Sequence, residues 1–202
     1  MKALLMKDFY TLWRQLKVYL LVMLVISVFN GAYGNIFITI WAALLPYTAM
    51  AYDERSKWDQ MAAMMPYSTR DVVLGKYVFG WLCIGAAAVL SGLFQAALSL
   101  VSHREVLSGM LALSLLGGFC ILAVSLPVMF HFGVEKGRLA MFLIIFLVCG
   151  TAGAIANIAD SATGGTVFAF QGPVLAVMLI AALVLTAVSV PLSLRFYKKR
   201  QF

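Results

Sequence analysis

The feature that most constrains this chain is a long segment without charge. Residues 18–52 contain no Asp, Glu, Lys, Arg or His. A membrane-spanning helix needs about 20 mostly apolar residues, so this segment is too long for one span and long enough for two. Residues 30–35, Asn-Gly-Ala-Tyr-Gly-Asn, divide it with turn-forming residues. We therefore predict a helical hairpin with helices near 16–31 and 35–52.

Further apolar runs extend the same prediction along the chain. They place four more spans near 75–100, 106–130, 139–156 and 173–194, and Pro173 suits a first helical turn. The chain is 63% hydrophobic and 11% charged, whereas soluble domains are roughly 45–50% apolar and about 25% charged. We predict an all-α integral membrane protein with six transmembrane helices, forming one transmembrane domain over residues 1–202.

The basic residues predict the orientation. If both termini are cytoplasmic, the cytoplasmic segments hold all Lys and Arg residues except Arg104, as the positive-inside rule requires. They are Lys2, Lys7, Arg14, Lys17, Arg55, Lys57, Arg70, Lys76, Lys136, Arg138, Arg195, Lys198, Lys199 and Arg200. The net charge of +7 therefore indicates lipid headgroups and topology, and no nucleic-acid partner is expected.

Residues 1–17 predict an amphipathic helix ahead of the first span. One face carries Leu5 and four residues that we expect at the membrane interface, and Lys7, Thr11 and Arg14 lie opposite. The four interface residues are Phe9, Leu12, Trp13 and Leu16. The alternative is that this segment is a charged extension of the first span.

The cytoplasmic loop at residues 53–75 predicts a short helix. Ser56 with Asp59 fits a capping box, Pro66 ends the helix, and Ser68 with Asp71 caps the next one. Helical spacing puts Trp58, Met61, Ala62 and Met65 on one face. Trp and flexible Met side chains suit a partner's groove, although the same face could also lie on the membrane.

No pattern in the chain indicates catalysis. There is no Walker loop, no Gly-x-Ser-x-Gly and no His-Glu-x-x-His, and no ionisable residue falls well inside a predicted span. The three cysteines fit no zinc or redox spacing. We therefore expect neither an enzyme nor a metal site, and an ion-coupled carrier is disfavoured.

Specific residues carry a resemblance to a known family. They are Leu5-Met6-Lys7-Asp8-Phe9, Asp53-Glu54, Lys57-Trp58-Asp59, Met65-Pro66, Ser68, Arg70-Asp71-Val72-Val73 and Lys76-Tyr77. This series and the topology resemble small type-2 ABC (ATP-binding cassette) exporter permeases along the whole chain. The resemblance implies a permease subunit of an ATP-driven exporter in the plasma membrane of a bacterial cell. ATP and Mg would bind a separate ATPase subunit, with no cofactor in this chain.

The resemblance also implies partners and contact residues. The short loop helix would be a coupling helix that enters a cleft of the ATPase, and a second permease chain would complete a homodimer or heterodimer. The implied contact residues are Glu54, Lys57, Trp58, Asp59, Met61 and Met65, with Pro66 as the hinge.

The cargo is not identified by any motif. Spans with few charges suit an amphipathic peptide or a lipid-like compound. The alternative function is the substrate-capture subunit of an energy-coupling-factor vitamin importer, which also has about 200 residues and six spans. That class typically couples through small-residue motifs on a spanning helix and lacks an amphipathic N-terminal helix. The outer loop at 157–172 is expected to be either re-entrant or an ordinary loop.

Overall fold

A computed structural model describes most of the chain as helices. The described residues are 2–30, 34–64, 68–102, 108–134, 136–143, 145–146 and 171–200. The helices are α1 (Lys2–Asn30), α2 (Gly34–Arg55), α3 (Trp58–Met64), α4 (Thr69–Ser102), α5 (Ser108–Phe132), α6 (residues 136–143 and 145–146) and α7 (Gln171–Arg200). The predicted all-helical architecture is confirmed for these residues.

Three helices in the described part of the chain are long and apolar enough to cross a membrane. The qualifying segments are Thr69–Ala97 in α4, Leu111–Phe132 in α5 and Leu175–Lys198 in α7. Six spans and two cytoplasmic termini stay predictions. The turn expected after Asn30 and nearly all of the outer loop at 157–172 lie outside the described residues. Pro173 lies in the first turn of α7, as expected.

The helix ends that the sequence places in the cytoplasm meet at one end of the bundle. Lys76 near the start of α4 pairs with Asp8 of α1 and with Asp53 of α2. At the same end the rings of Phe130 in α5 and Tyr197 in α7 lie 5.6 Å apart. We call this the charged end. α1 and α4 therefore begin at this end, and α2, α5 and α7 end there.

The N-terminal segment is not a separate helix. α1 runs unbroken from Lys2 to Asn30, about 43 Å at 1.5 Å per residue. No Gly or Pro occurs between these residues, so nothing interrupts the hydrogen-bond ladder. Residues 2–17 are therefore continuous with the first predicted span, as the alternative proposes. Their placement in the headgroup layer stays a prediction.

Glycines allow close helix approach at two places. A Cβ atom on Gly80 in α4 would lie 2.4 Å from Leu122 Cδ1 of α5, and one on Gly118 in α5 would lie 2.5 Å from Thr39 Cγ2 of α2. Cβ atoms on Gly85 and Gly117 would meet nothing within 4 Å. Of these four small residues, two therefore serve packing within the chain, where small side chains let helices touch.

Hydroxyl groups tie α4, α5 and α7 together inside the bundle. The Ser189 hydroxyl of α7 donates to the Ala123 carbonyl of α5, so its oxygen accepts from the Tyr77 hydroxyl of α4. Ser193 then donates to the Tyr77 oxygen at 2.8 Å. All three side chains are buried, and the chain of bonds satisfies each of them.

Candidate coupling site

A tight turn separates α2 from α3. The Ser56 hydroxyl donates to the Asp53 carbonyl at 3.2 Å, and the Ser56 N–H donates to the Tyr52 carbonyl at 2.9 Å. The predicted role of Ser56 as an N-cap is therefore wrong. Because α2 extends to Arg55, three residues past its predicted end, Ser56 closes α2 instead of opening α3.

Lys57 makes the reversal possible by adopting a left-handed conformation. Its φ is +53°, a region that L side chains enter at an energetic cost. The Lys57 N–H donates to the Glu54 carbonyl at 3.2 Å. Lys57 is thus fixed in the turn, directly before α3, and its predicted contact with a partner stays a prediction.

The second predicted cap is confirmed. The Asp71 N–H donates to the Ser68 hydroxyl oxygen at 3.1 Å, one residue before α4 begins at Thr69. This pattern is local in sequence, and for that reason it could be recognised without knowing the fold.

α3 divides its apolar residues between two faces. Ala62 is buried, and Trp58 is half-buried and packs against the main core cluster. Met61 is 49% exposed and Met64 is 87% exposed. The predicted face is thus split: Trp58 and Ala62 face the bundle, and Met61 faces away from it together with Met64, which the sequence analysis did not single out.

Two predicted contact residues lie outside the described part of the chain. They are Met65 and Pro66, which follow α3 directly. For Asp59 the structure gives its place in the first turn of α3 but no side-chain position. Their roles as partner contacts and hinge stay predictions.

Trp58 joins α3 to α1. The Nζ atom of Lys7 lies 4.2 Å from the centroid of the Trp58 ring, a cation–π geometry. Lys7 was expected on the polar, outward face of α1. It is instead half-buried, because the start of α1 packs against the end of α2 and against α3.

Lys7 also belongs to a buried group that we call the four-ion cluster, formed by Lys7, Asp8, Asp53 and Lys76. Lys7 Nζ lies 2.6 Å from Asp53 and 3.2 Å from Asp8. Lys76 Nζ lies 2.9 Å from Asp8 and 2.6 Å from Asp53. Each lysine contacts both aspartates, so the charges cancel around a closed ring. The cluster connects α1, α2 and α4 beside the attachment point of α3.

Glu54 attaches the α5–α6 connection to the same region. Its carboxylate accepts a hydrogen bond from the Val134 N–H at 2.9 Å. Gly133, with φ of +82°, supplies the turn that aims this N–H. Glu54 was predicted to contact a partner. The structure shows its bond within the chain, and the partner contact stays a prediction.

The predicted membrane-interface residues separate into two pairs. Leu12 is buried against Leu45, Ala49 and Phe79, and Leu16 is half-buried on the same cluster. Phe9 and Trp13 are exposed, with ring centroids 5.2 Å apart. Leu12 is therefore a helix-packing residue, because α1 lies on α2 and α4. Phe9 and Trp13 remain candidates for lipid contact.

The four-ion cluster was missed by sequence reasoning. All four residues fall on the predicted cytoplasmic side, and Asp53 and Lys76 stand at the ends of predicted spans. Counting charges on each side of the membrane predicted which side these residues share but not which of them pair. The signal in the sequence is the presence of Asp8 and Asp53 among the basic residues of that side.

Comparisons with known proteins bear on this arrangement. A sequence model of a family described as "ABC-2 family transporter protein" matches residues 3–198, nearly the whole chain. Comparisons with curated proteins and with solved structures gave no match.

Proposed function

We propose that this chain, which belongs to the ABC-2 family of transporter proteins, is the permease of an ATP-driven exporter and couples to its ATPase through α3. Family membership makes it an ABC transporter permease in a membrane, and it implies association with an ABC ATPase subunit. The direction of transport and the coupling through α3 are the proposal. The observation that carries it is the pair of exposed methionines, Met61 and Met64, on a helix whose opposite face packs against the bundle through Trp58 and Ala62.

The anchoring of α3 supports a mechanical role. On the bundle side, Trp58 packs against the core and against Lys7 of α1. The four-ion cluster then links α1 to α2 and α4. A force applied to Met61 and Met64 would therefore reach three long helices through direct contacts. Methionine side chains adapt to a groove, which suits a joint that changes shape during a cycle.

The cargo proposal follows from the character of the spans. The described faces of α4 and α7 expose large apolar side chains such as Leu93, Leu183 and Val188. We infer an amphipathic peptide or lipid-like cargo, which such surfaces tolerate. The family match gives no support to the alternative of a vitamin-capture subunit.

A second permease chain is part of the proposal. Six spans make half of a translocation pathway in this family, so we expect a homodimer or a heterodimer with a sister permease. Mass determination of the detergent-solubilised, ATP-hydrolysing complex tests this. We expect two permease chains and two ATPase chains. A single 22.1 kDa permease chain in the active complex would contradict it.

The coupling proposal is tested by co-purification. The full chain is purified from its native membrane and the ABC ATPase is quantified by mass spectrometry for wild type, Met64→Asp and Thr11→Asp. Thr11 is exposed in the N-terminal part of α1, outside α3, and serves as the matched control. We expect Met64→Asp to reduce the amount of retained ATPase at least tenfold. The free-energy cost of burying an unpaired carboxylate in the interface exceeds about 1.4 kcal/mol, the equivalent of a tenfold change in affinity. Thr11→Asp should retain it. Equal retention by all three proteins would refute the role of α3.

A further inference from the structure

A groove of about 420 Å³ lies between α5 and α7 next to the charged end. Its walls are apolar, with Pro127 and Val128 from α5 facing Leu185, Val188 and Leu192 from α7. The one hydroxyl in the walls, that of Ser189, donates to the Ala123 carbonyl. Water has few partners in such a space, so an apolar occupant is favoured.

The mouth of the groove carries an imidazole. His131 is exposed, and its ring lies between the rings of Phe132 and Phe196, with both centroid distances at 4.5 Å. In either protonation state an imidazole has at least one N–H that can donate to an anionic oxygen. A hydrogen-bond donor thus stands where the apolar groove meets the charged end.

A basic side chain lies beside this mouth. Arg195 is exposed and follows Leu192 by three positions, so the two are neighbours on the helix surface. Lys136 and Arg138 are also exposed, just after the turn that ends α5. At the same turn the Glu54 carboxylate accepts the Val134 N–H. The mouth therefore combines the guanidinium of Arg195 with the imidazole of His131, and basic sites between membrane helices suit anionic headgroups.

The dimensions of the groove fit one leaflet. From Leu185 to Phe196 the helix rises about 16 Å, close to half of a hydrocarbon core about 30 Å thick. We propose that the groove holds an acyl chain of one anionic phospholipid from the cytoplasmic leaflet. The phosphate lies at the mouth near His131 and Arg195. This site does not depend on the transport direction or on α3.

Native mass spectrometry of the purified full chain tests the site. The protein is titrated with phosphatidylglycerol or with phosphatidylcholine. Val188→Trp fills the groove, and Val184→Trp, equally exposed on α7 but outside the groove, is its control. Arg195→Gln removes the rim charge, and Arg70→Gln removes an exposed cation at the start of α4 that does not line the groove.

We expect wild type to prefer phosphatidylglycerol and to bind one molecule tightly. Val188→Trp should weaken that binding at least fivefold, and Val184→Trp should not. Arg195→Gln should lower the preference for phosphatidylglycerol over phosphatidylcholine about fivefold, the equivalent of about 1 kcal/mol for one basic residue near anionic lipid. Arg70→Gln should leave this preference within twofold of wild type. Equal binding of both lipids by wild type would overturn the proposal. Unchanged binding by Val188→Trp would also overturn it.

Discussion

At the scale of single residues, the four-ion cluster is the place where the loss of one side chain is expected to cost the most stability. Asp8 is 4% exposed and Lys76 is 8% exposed at the side chain. Buried charges of this kind are tolerated when each has partners of opposite sign. Since each lysine contacts both aspartates, removing any one of the four charges leaves the remaining three with an unbalanced net charge.

Substitution Lys76→Met tests the cluster. It leaves Asp8 and Asp53 with one cation between them, so we expect a loss of about 3–5 kcal/mol in the free energy of unfolding. Lys198→Met removes an exposed cation and should change it by less than about 0.5 kcal/mol. Denaturant titration of the full chain in one detergent measures both. The double variant Asp8→Asn/Lys76→Met should recover part of the loss. Equal stability of Lys76→Met and Lys198→Met would show that the cluster is not coupled to folding.

At the scale of the element, α4 is held by the close approach at Gly80. A Cβ atom there would lie 2.4 Å from Leu122 Cδ1 and 3.2 Å from Pro46 Cγ, and both neighbours are buried. Gly80→Val should therefore destabilise the protein by about 1–3 kcal/mol through overpacking. Gly85→Val on the same helix meets open space and is the control. The thermal unfolding midpoint of each purified variant measures the effect, and a midpoint for Gly80→Val no lower than that of Gly85→Val would argue against this packing.

The anchoring of α3 makes a prediction about coupling. Trp58→Ala removes the ring that contacts Lys7 and the core, while Met61 and Met64 remain to hold the ATPase. We expect membrane insertion and ATPase retention within twofold of wild type, with ATP hydrolysis no longer tied to export. Export per ATP hydrolysed, measured in reconstituted vesicles once the cargo is identified, is the readout. Trp41→Ala, a partly exposed Trp that contacts Tyr19, should keep the wild-type ratio, and an unchanged ratio in Trp58→Ala would refute the anchoring role.

A structural feature could be predicted from the sequence when residues close in sequence determine it, and not when packing between helices determines it. The apolar runs predicted α2, α4, α5 and α7 to within six residues at each end. The Ser68 cap was predictable because it depends on residues three positions apart. The break expected between residues 1–17 and the first span does not exist, because amphipathicity alone does not end a helix. The two faces of α3 could not be separated either. That Trp58 and Ala62 face the bundle while Met61 faces away depends on where α1 and α2 lie.

At the scale of the whole molecule, the charged end gathers the features of the site. The four-ion cluster, the Glu54–Val134 bond and the cation–π contact of Trp58 join α1, the α2–α3 turn, α4 and the α5–α6 connection. Charge counting predicted that these segments share one side, and the structure brings them together. Their pairing was not predictable, because it requires the relative height and rotation of α1, α2 and α4.

The most direct test of the central claim, that α3 is the joint to the ATPase, is site-specific cross-linking in intact membranes. Met64→Cys and the control Thr11→Cys are treated with a short bifunctional thiol-to-amine reagent, with wild type reporting the background from native cysteines. We predict a product with the combined mass of this chain and an ABC ATPase for Met64→Cys, at least tenfold above both references. A product of that mass from Thr11→Cys alone, or none from Met64→Cys while the ATPase still co-purifies, would contradict the claim.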